Sequence, residues 1–322
     1  MKNNKIIVSI IIVNFNGKRF FDSCIRSIED NLTYGYEVIL VDNASTDGSA
    51  DYFETRFPDL KLIRSSTNVG FSKGNNLAVK AASGKYLLLL NNDTVVQTSL
   101  DPLIRFIDNN IDVGVVGCRL LYGNLKQQES FGRIPNPITL FLSWGILPAL
   151  FPQVSFWRRT EIHSSALYDL PKNEVGWVSG ACLLTRKKIW DSLSGLDENF
   201  FMYMEDVDFC RRVGEEGFKI MYSSLSSVIH FEGAGRPWIG ERALQNTSDS
   251  YFVYTRRYYT KKATVFLAFG LGLTFIARSL FFGVSSIFTR NSVKSDKCRS
   301  YFRVGLSIIK KEGNFYRNEF YL

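Results

Sequence analysis

Apolar residues in the first third of the chain fall into short runs separated by longer amphipathic stretches. The β-branched and leucine-rich runs at 6–13, 37–41, 60–64, 86–90 and 113–118 predict strands buried on both faces. Between them, 19–32, 49–57, 71–82 and 100–109 carry apolar residues at helical spacing. In the first of these, Phe20, Phe21, Cys24, Ile25, Ile28 and Leu32 share a face. Strict alternation of strand and helix predicts a parallel sheet covered on both faces, whose ligands bind beyond the carboxyl ends of the strands. Three predicted strands end in polar loops, Asn14-Phe15-Asn16-Gly17, Asp42-Asn43-Ala44-Ser45-Thr46-Asp47-Gly48 and Asn91-Asn92-Asp93-Thr94. Each alone is ordinary turn or cap chemistry. Together on one sheet edge they predict a shared binding site.

The alternation breaks at 119–176. Within it 137–152 is apolar, bounded by prolines and interrupted by Gly145, which argues against a long buried helix. Two readings remain open, an apolar loop packed on the core or a surface that touches a membrane or a greasy acceptor. The polar, basic stretch 153–163, with His163, follows. Order returns at 175–190 as a strand and a short helix, and 219–222 and 228–231 predict two more strands, the second carrying His230.

Past residue 250 the composition changes. A basic segment, 256–262, precedes the apolar stretch 263–288, which Arg278 interrupts. Its longest charge-free piece, 263–277, is shorter than the ~20 residues a helix needs to cross a bilayer. Basic residues flank both ends, with Arg290, Lys294, Lys297, Arg299 and Arg303 on the far side. This favours a helix or helical hairpin lying in the membrane interface, the alternatives being a span or soluble helices packed on the rest of the protein.

With 322 residues and 45% hydrophobic content, the chain can bury a large core, and its net charge of +8 favours an anionic partner. The basic residues gather around the apolar tail and not in an aromatic-lined groove, which speaks against nucleic acid. Five scattered cysteines without a C-x-x-C pair suit neither a disulfide framework nor a zinc ribbon, and fit a reducing cytoplasm. The apolar run at the N-terminus lacks the cleavage site of a signal peptide and reads as the first strand.

The sharpest chemical mark is at 200–208, where Glu205, Asp206 and Asp208 follow an aromatic run. Acidic residues in a first helical turn complement the helix dipole. Opening into a cleft, the same cluster can hold one carboxylate as a general base through burial and mutual repulsion. Asp93 follows a fully apolar strand and projects from its end. His230 sits at a strand end, where the plain reading is a core histidine satisfied by a backbone carbonyl. Gly70 and Gly74 allow close backbone approach at a helix start, with Lys73 available to phosphate.

Taken together, Val41 to Asp47, NVGFSKGNN (68–76), LLLNND (88–93), WVSGACLL (177–184) and FFMYMEDVDFCRR (200–212) resemble the family 2 inverting glycosyltransferases, especially their bacterial rhamnosyltransferase-like branch. The likeness runs over about residues 6–235 with the motifs in order. It implies an α/β GT-A fold with a mostly parallel central sheet, a nucleotide-diphosphate sugar donor and a divalent metal, Mg²⁺ or Mn²⁺. It assigns Asp206 as base, with Glu205 and Asp208 holding acceptor hydroxyls or tuning it. Val13, Asn14, Asn16, Asp42, Asn43, Asn68, Gly70, Lys73, Asn75, Asn92 and Asp93 would bind the nucleotide sugar. Asp93 and His230 would hold the metal, while Trp177, Gly180, Ala181 and Glu205 would line the acceptor side. Asn91 and Asn92 stand where many members carry acidic residues, which predicts weak metal affinity without donor.

The expected organisation is a catalytic domain at 1–255, with a nucleotide-sugar half at 1–118 and an acceptor half at 119–255, then a membrane-associating helical region at 256–322. The expected activity is transfer of a sugar, best matched by rhamnose, from a dTDP- or UDP-linked donor to a lipid-linked or growing polysaccharide at the cytoplasmic face of the cell membrane. Two rival readings carry weaker marks. A nucleotidyltransferase needs a glycine-rich basic loop after the first strand, where residues 14–21 hold one glycine. A non-catalytic, membrane-attached sugar-binding subunit draws only on Asn91 and Asn92.

Overall fold

The computed structural model describes residues 5–144, 170–231, 240–289 and 292–318. They divide into two compact units. The first holds the described residues up to 134 together with 170–231, and the second holds 135–144 and those from 240 onward. The expectations attached to 145–163, His163 included, and to Arg290 lie outside the described residues.

In the first unit the predicted elements form close to where the hydrophobic pattern puts them. They run β1 (Val8–Asn14), α1 (Lys18–Asn31), β2 (Tyr36–Asp42), α2 (Ser49–Arg56), β3 (Lys61–Arg64), α3 (Gly70–Val79), β4 (Tyr86–Leu90), β5 (Thr94–Val96), α4 (Asp101–Asn109) and β6 (Val113–Leu121). Strands β1, β2, β3 and β4 pair in parallel, with Asn14 level with Asp42. Side chains alternate across the sheet, so Val8, Ile10 and Ile12 pack against Phe21, Ile25 and Ile28 of α1 and Ile104 and Ile107 of α4. Val13 faces the other way, onto α3, where Gly74 leaves no room for a Cβ, 2.9 Å from a Val13 methyl.

Beyond β4 the mostly parallel sheet takes in antiparallel strands. Short strands β7 (Gln127–Gln128), β8 (Phe131–Gly132), β9 (Lys172–Glu174) and β10 (Trp177–Val178) lead to β11 (Cys182–Arg186). β11 inserts antiparallel between β4 and β6, so the order is β3-β2-β1-β4-β11-β6-β12-β5. Helices α6 (Lys187–Ser192) and α7 (Glu205–Glu215) follow, once α5 (Pro137–Trp144) of the second unit has been counted. The two strands expected at 219–222 and 228–231 are one strand, β12 (Lys219–His230). A register shift between Ser223 and Ser227 bends it, letting one strand pair parallel with β6 and antiparallel with β5.

At the opposite, amino end of β2 sits a buried carboxylate. Glu37 accepts hydrogen bonds from Ser9 Oγ (2.6 Å), Ser83 N (2.7 Å) and Ser83 Oγ (2.8 Å), and pairs with Lys61 Nζ at 2.5 Å. Burial alone would raise its pKa, but the bonds from Lys61, Ser9 and Ser83 outweigh burial and pull it from 4.5 to about 2. A lowered folded-state pKa stabilises above the unfolded value, and that stability fades as pH falls from 4.5 toward about 2. Glu37→Gln is therefore expected to lower stability by about 2 kcal/mol at neutral pH. Denaturant titrations of both proteins should converge as the pH is lowered through that window.

The second unit comprises α5, α8 (Gly240–Tyr258), α9 (Lys261–Thr289) and α10 (Ser292–Asn318). Residues 137–144 form a helix despite the flanking proline, because Pro137 opens it, where the missing N–H costs nothing. Asn136 caps it by accepting from Ile138 N and Thr139 N, both at 3.0 Å. The apolar stretch is one unbroken helix, α9, paired with α10 as an antiparallel hairpin.

Candidate active site

The first cluster joins the loops after β1 and β2. Asn14 is fully buried and donates from Nδ2 to Asp42 Oδ1 and Ser45 Oγ, both at 3.0 Å. Asp42 Oδ2 accepts Ser45 N at 3.1 Å. Asn16 and Ala44 sit in the left-handed region (φ 55° and 61°), turning the two loops toward each other, and Asn16 Oδ1 accepts Thr46 N at 2.8 Å. Asn92, from the end of β4, donates to Asn14 Oδ1 at 2.6 Å. Asn92, Asn14 and Asp42 thus form one continuous polar chain across three strand ends. Gly17 lies tight against it, a Cβ there standing 2.0 Å from Asn92 Nδ2, so a side chain would displace this amide.

Asn43 closes the neighbouring side. It donates to Asn68 Oδ1 (2.9 Å) and Gly70 O (3.1 Å) and accepts Val69 N (2.8 Å), holding the start of α3 against β2. Gly70 has φ 86°, and a Cβ there would stand 2.4 Å from Phe201 O. That close approach lets Phe71 N donate to Phe201 O at 2.7 Å, tying α3 to the aromatic run before α7.

The second cluster is at the ends of β4 and β12. His230 Nε2 lies 3.3 Å from Asp93 Oδ1 and 3.1 Å from Asn91 Nδ2. His230 Nδ1 is 3.1 Å from Gln128 Oε1 on β7, and both residues are buried. A carbonyl oxygen only accepts, so Nδ1 donates in this contact and Nε2 is turned toward Asp93 and Asn91. Among the described residues no group of three or more His, Cys, Asp or Glu could hold a metal by itself. One carboxylate, one imidazole and neighbouring amide oxygen suit Mg²⁺ or Mn²⁺ when diphosphate oxygens and water complete the shell.

The third cluster begins α7. Tyr203 and Met204 both have positive φ (72° and 68°), a strained pair that swings the chain from the aromatic run into the helix. Asp206 Oδ2 accepts Gly180 N at 2.9 Å, and Oδ1 accepts Val207 N at 2.8 Å. Burial raises its pKa, an effect those backbone donors only partly offset. Glu205 is buried with Oε2 unpartnered. Burial, then the charges of Asp206 and Asp208, push its pKa well above the ordinary carboxylate value. The residue after Gly180 connects this cluster to the second, because Ala181 O accepts Asn91 N at 3.1 Å.

Most of the residues singled out in the sequence therefore converge. Asn14, Asn16, Asp42, Asn43, Asn68, Gly70, Asn92, Asp93, His230, Gly180, Ala181, Glu205 and Asp206 lie in three clusters linked by hydrogen bonds, and Val13 backs the first. Four sit otherwise. Asp208 is wholly buried and paired with Arg212 at 2.8 Å. Arg212 also donates to Leu193 O and Gly195 O, so the pair anchors α7. Asn75 is buried and donates to Phe71 O of its own helix at 2.8 Å. Lys73 is exposed on α3, and Trp177 is half-buried with Nε1 satisfied by Arg133 O at 3.0 Å.

Sequence reasoning missed Gln128, one of a run of polar residues at 126–130 in an irregular region with no motif to mark it. It also left out Phe71, whose ring is 3.4 Å from where a Gly180 Cβ would stand, and gave no contact to Asn91, which touches His230.

A model of the family described as Glycosyl transferase family 2 matches residues 9–191. The chain is 25% identical over 268 residues to the N-acetylglucosaminyl-diphospho-decaprenol L-rhamnosyltransferase of Mycobacterium tuberculosis, covering 78% of this chain and 85% of the relative. It is 24% identical over 170 residues to the rhamnosyltransferase WbbL of Escherichia coli K12, covering 50% of this chain and 61% of the relative. Among solved structures, GalNAc-T7 with UDP, GalNAc and Mn²⁺ aligns with a TM-score of 0.55 at 14% identity, over 78% of this chain and 48% of the other. The mannosyltransferase PcManGT from Pyrobaculum calidifontis, in complex with GDP-Man and Mn²⁺, aligns with a TM-score of 0.53 at 14% identity, over 95% and 87%.

Proposed function

The chain belongs to glycosyltransferase family 2 and has the GT-A fold, and from this premise we propose an inverting transferase that moves rhamnose or a related hexose from a dTDP- or UDP-linked donor. The acceptor is a hydroxyl of a lipid-linked or growing cell-surface polysaccharide, at the cytoplasmic face of the cell membrane. Residues 1–118 serve the nucleotide sugar, 119–255 the acceptor, and 256–322 the membrane.

The observation that carries this reading is the setting of Asp206. It is a carboxylate with raised pKa, fixed by Gly180 N, one residue from the Ala181–Asn91 link to Asp93 and His230. A base there takes the proton of the acceptor hydroxyl as its oxygen bonds to the anomeric carbon. The bond from that carbon to phosphate breaks on the opposite face, and its electron pair leaves with the nucleoside diphosphate. Glu205, beside it, holds a sugar hydroxyl by a hydrogen bond and orients it. The Asn14–Asp42 pair reads the base, and Asp93 with His230 would hold Mg²⁺ or Mn²⁺, which would neutralise charge on the departing diphosphate.

Two measurements follow. Purified protein incubated with a panel of nucleotide sugars should release one nucleoside diphosphate in a glycolipid-dependent manner, and release from no donor would sink the reading. Gln128→Leu removes the acceptor that fixes the His230 tautomer. It is expected to weaken Mn²⁺ binding in the presence of nucleoside diphosphate by about tenfold, read by electron paramagnetic resonance, with unchanged binding counting against the metal assignment.

A further inference from the structure

Helix α9 is amphipathic the wrong way round for a helix facing water. Its inner side carries Thr264, Thr274 and Ser279 beside Leu267, Leu271 and Phe275, all buried. Its outer side carries Phe266, Phe269, Leu273, Leu280 and Val284, spaced to fall on one face and running to 67% exposed at Leu280. The stripe is about 27 Å long. α5, packed on the start of α9 through Phe141 and Phe266 (5.8 Å between rings), also exposes Ile138. A continuous apolar face of this kind on a folded helix needs an occupant.

Charge identifies it. Residues 256–322 hold 13 basic and 3 acidic side chains, against 26 basic and 28 acidic before them, so all of the protein's net positive charge lies in this segment. α9 itself contains no acidic residue, begins with exposed Lys261 and Lys262, and has Lys294 and Lys297 beside its far end, the first bonded to Ser285 Oγ and the second over the Phe282 ring. An apolar stripe with cations at both ends fits an anionic phospholipid surface.

The hairpin also decides between lying in that surface and crossing it. By length and composition alone, Lys261–Ser286 could span a bilayer. Yet α10 lies along it closely. A Cβ on Gly305 would be 2.9 Å from Gly272 O, Phe275 and Tyr301 are 5.4 Å apart, and Ser279 Oγ donates to Cys298 O at 2.8 Å. Arg278, the charge that interrupts the apolar run, turns inward and donates to Tyr301 Oη at 3.1 Å. A spanning α9 would therefore carry Arg299 and Arg303 of α10 toward hydrocarbon, which is costly for each.

We infer that the α9–α10 hairpin is a one-sided membrane anchor. Its α9 stripe lies flat in the headgroup and acyl boundary of an anionic bilayer, with α10 on the water side. This deepens the membrane placement above and is tested without the transfer reaction. Full-length protein with Cys298→Ser and a single environment-sensitive label at Phe266→Cys, Leu273→Cys, Leu280→Cys or Val284→Cys is mixed with neutral or phosphatidylglycerol-containing vesicles. The inference requires preference for the anionic vesicles and the same shallow quenching depth at all four labels. Lys261→Gln with Lys262→Gln is expected to lower partitioning about twentyfold. Leu273→Ser with Leu280→Ser should lower it at least tenfold while circular dichroism is unchanged. A deep central label with the two ends on opposite sides of the bilayer overturns it in favour of a span. Labels protected only in a concentration-dependent dimer, or partitioning unchanged by both variants, overturn it outright.

Discussion

Asp206→Asn is expected to lower kcat by about a thousandfold with KM for the donor nearly unchanged, because an amide cannot take the proton of the acceptor hydroxyl. The fold should survive. An asparagine oxygen still accepts from Gly180 N or Val207 N, so the loss is one backbone bond, about 1 kcal/mol. The pH profile gives a second readout. Burial raises the pKa of Asp206, so its ionised, active form is depleted as pH falls, and the acidic limb of kcat should lie above the ordinary carboxylate range. Glu205→Gln keeps a hydrogen-bonding side chain in place and should cost much less. An Asp206→Asn enzyme that retains wild-type kcat would assign the base elsewhere.

Arg212→Met is expected to have the largest effect on stability, about 3–5 kcal/mol. It strands Asp208, a carboxylate with no exposure, and removes the donors to Leu193 O and Gly195 O. Replacing both partners, Arg212→Met with Asp208→Leu, should recover part of the loss, because the uncompensated charge disappears with the pair. Chemical denaturation of the three variants checks this. A single variant as stable as wild type would return Asp208 to the group that could meet substrate.

This pair also shows how far the site was legible in the sequence. The cluster Glu205-Asp206-Asp208 was visible as charge following an aromatic run, but the division of labour within it was not. On a helix Asp206 and Asp208 point about 200° apart, so one meets Gly180 and the other Arg212, four residues on. The helix was readable, whereas the surroundings that pick its working face come from the 180 and 193–195 segments. The strands tell the same story. β1, β2 and β3 pair in chain order and β4 returns beside β1, and the alternation of these strands with helices dictates a parallel arrangement. β11 enters between β4 and β6 from far along the chain, and no local pattern names its partners. The bend in β12 likewise answers to two neighbours, β6 and β5. Gln128 escaped notice because its value lies wholly in reaching His230, 102 positions away.

The tail was legible in composition but not in orientation. Arg278 looked like an interruption of a membrane helix. Its bond to Tyr301 makes it part of the hairpin interior, and the outer face is left fully apolar.

The central claim is single-step transfer with Asp206 as base, and the anomeric configuration of the product tests it most directly. Once the donor panel has named the sugar, the glycolipid product of the wild-type enzyme is isolated and its anomeric coupling read by nuclear magnetic resonance against that of the donor. The account predicts the opposite configuration at the transferred carbon, and no product from Asp206→Asn. Retained configuration, or release of free sugar to water with no glycosylated lipid, would contradict it.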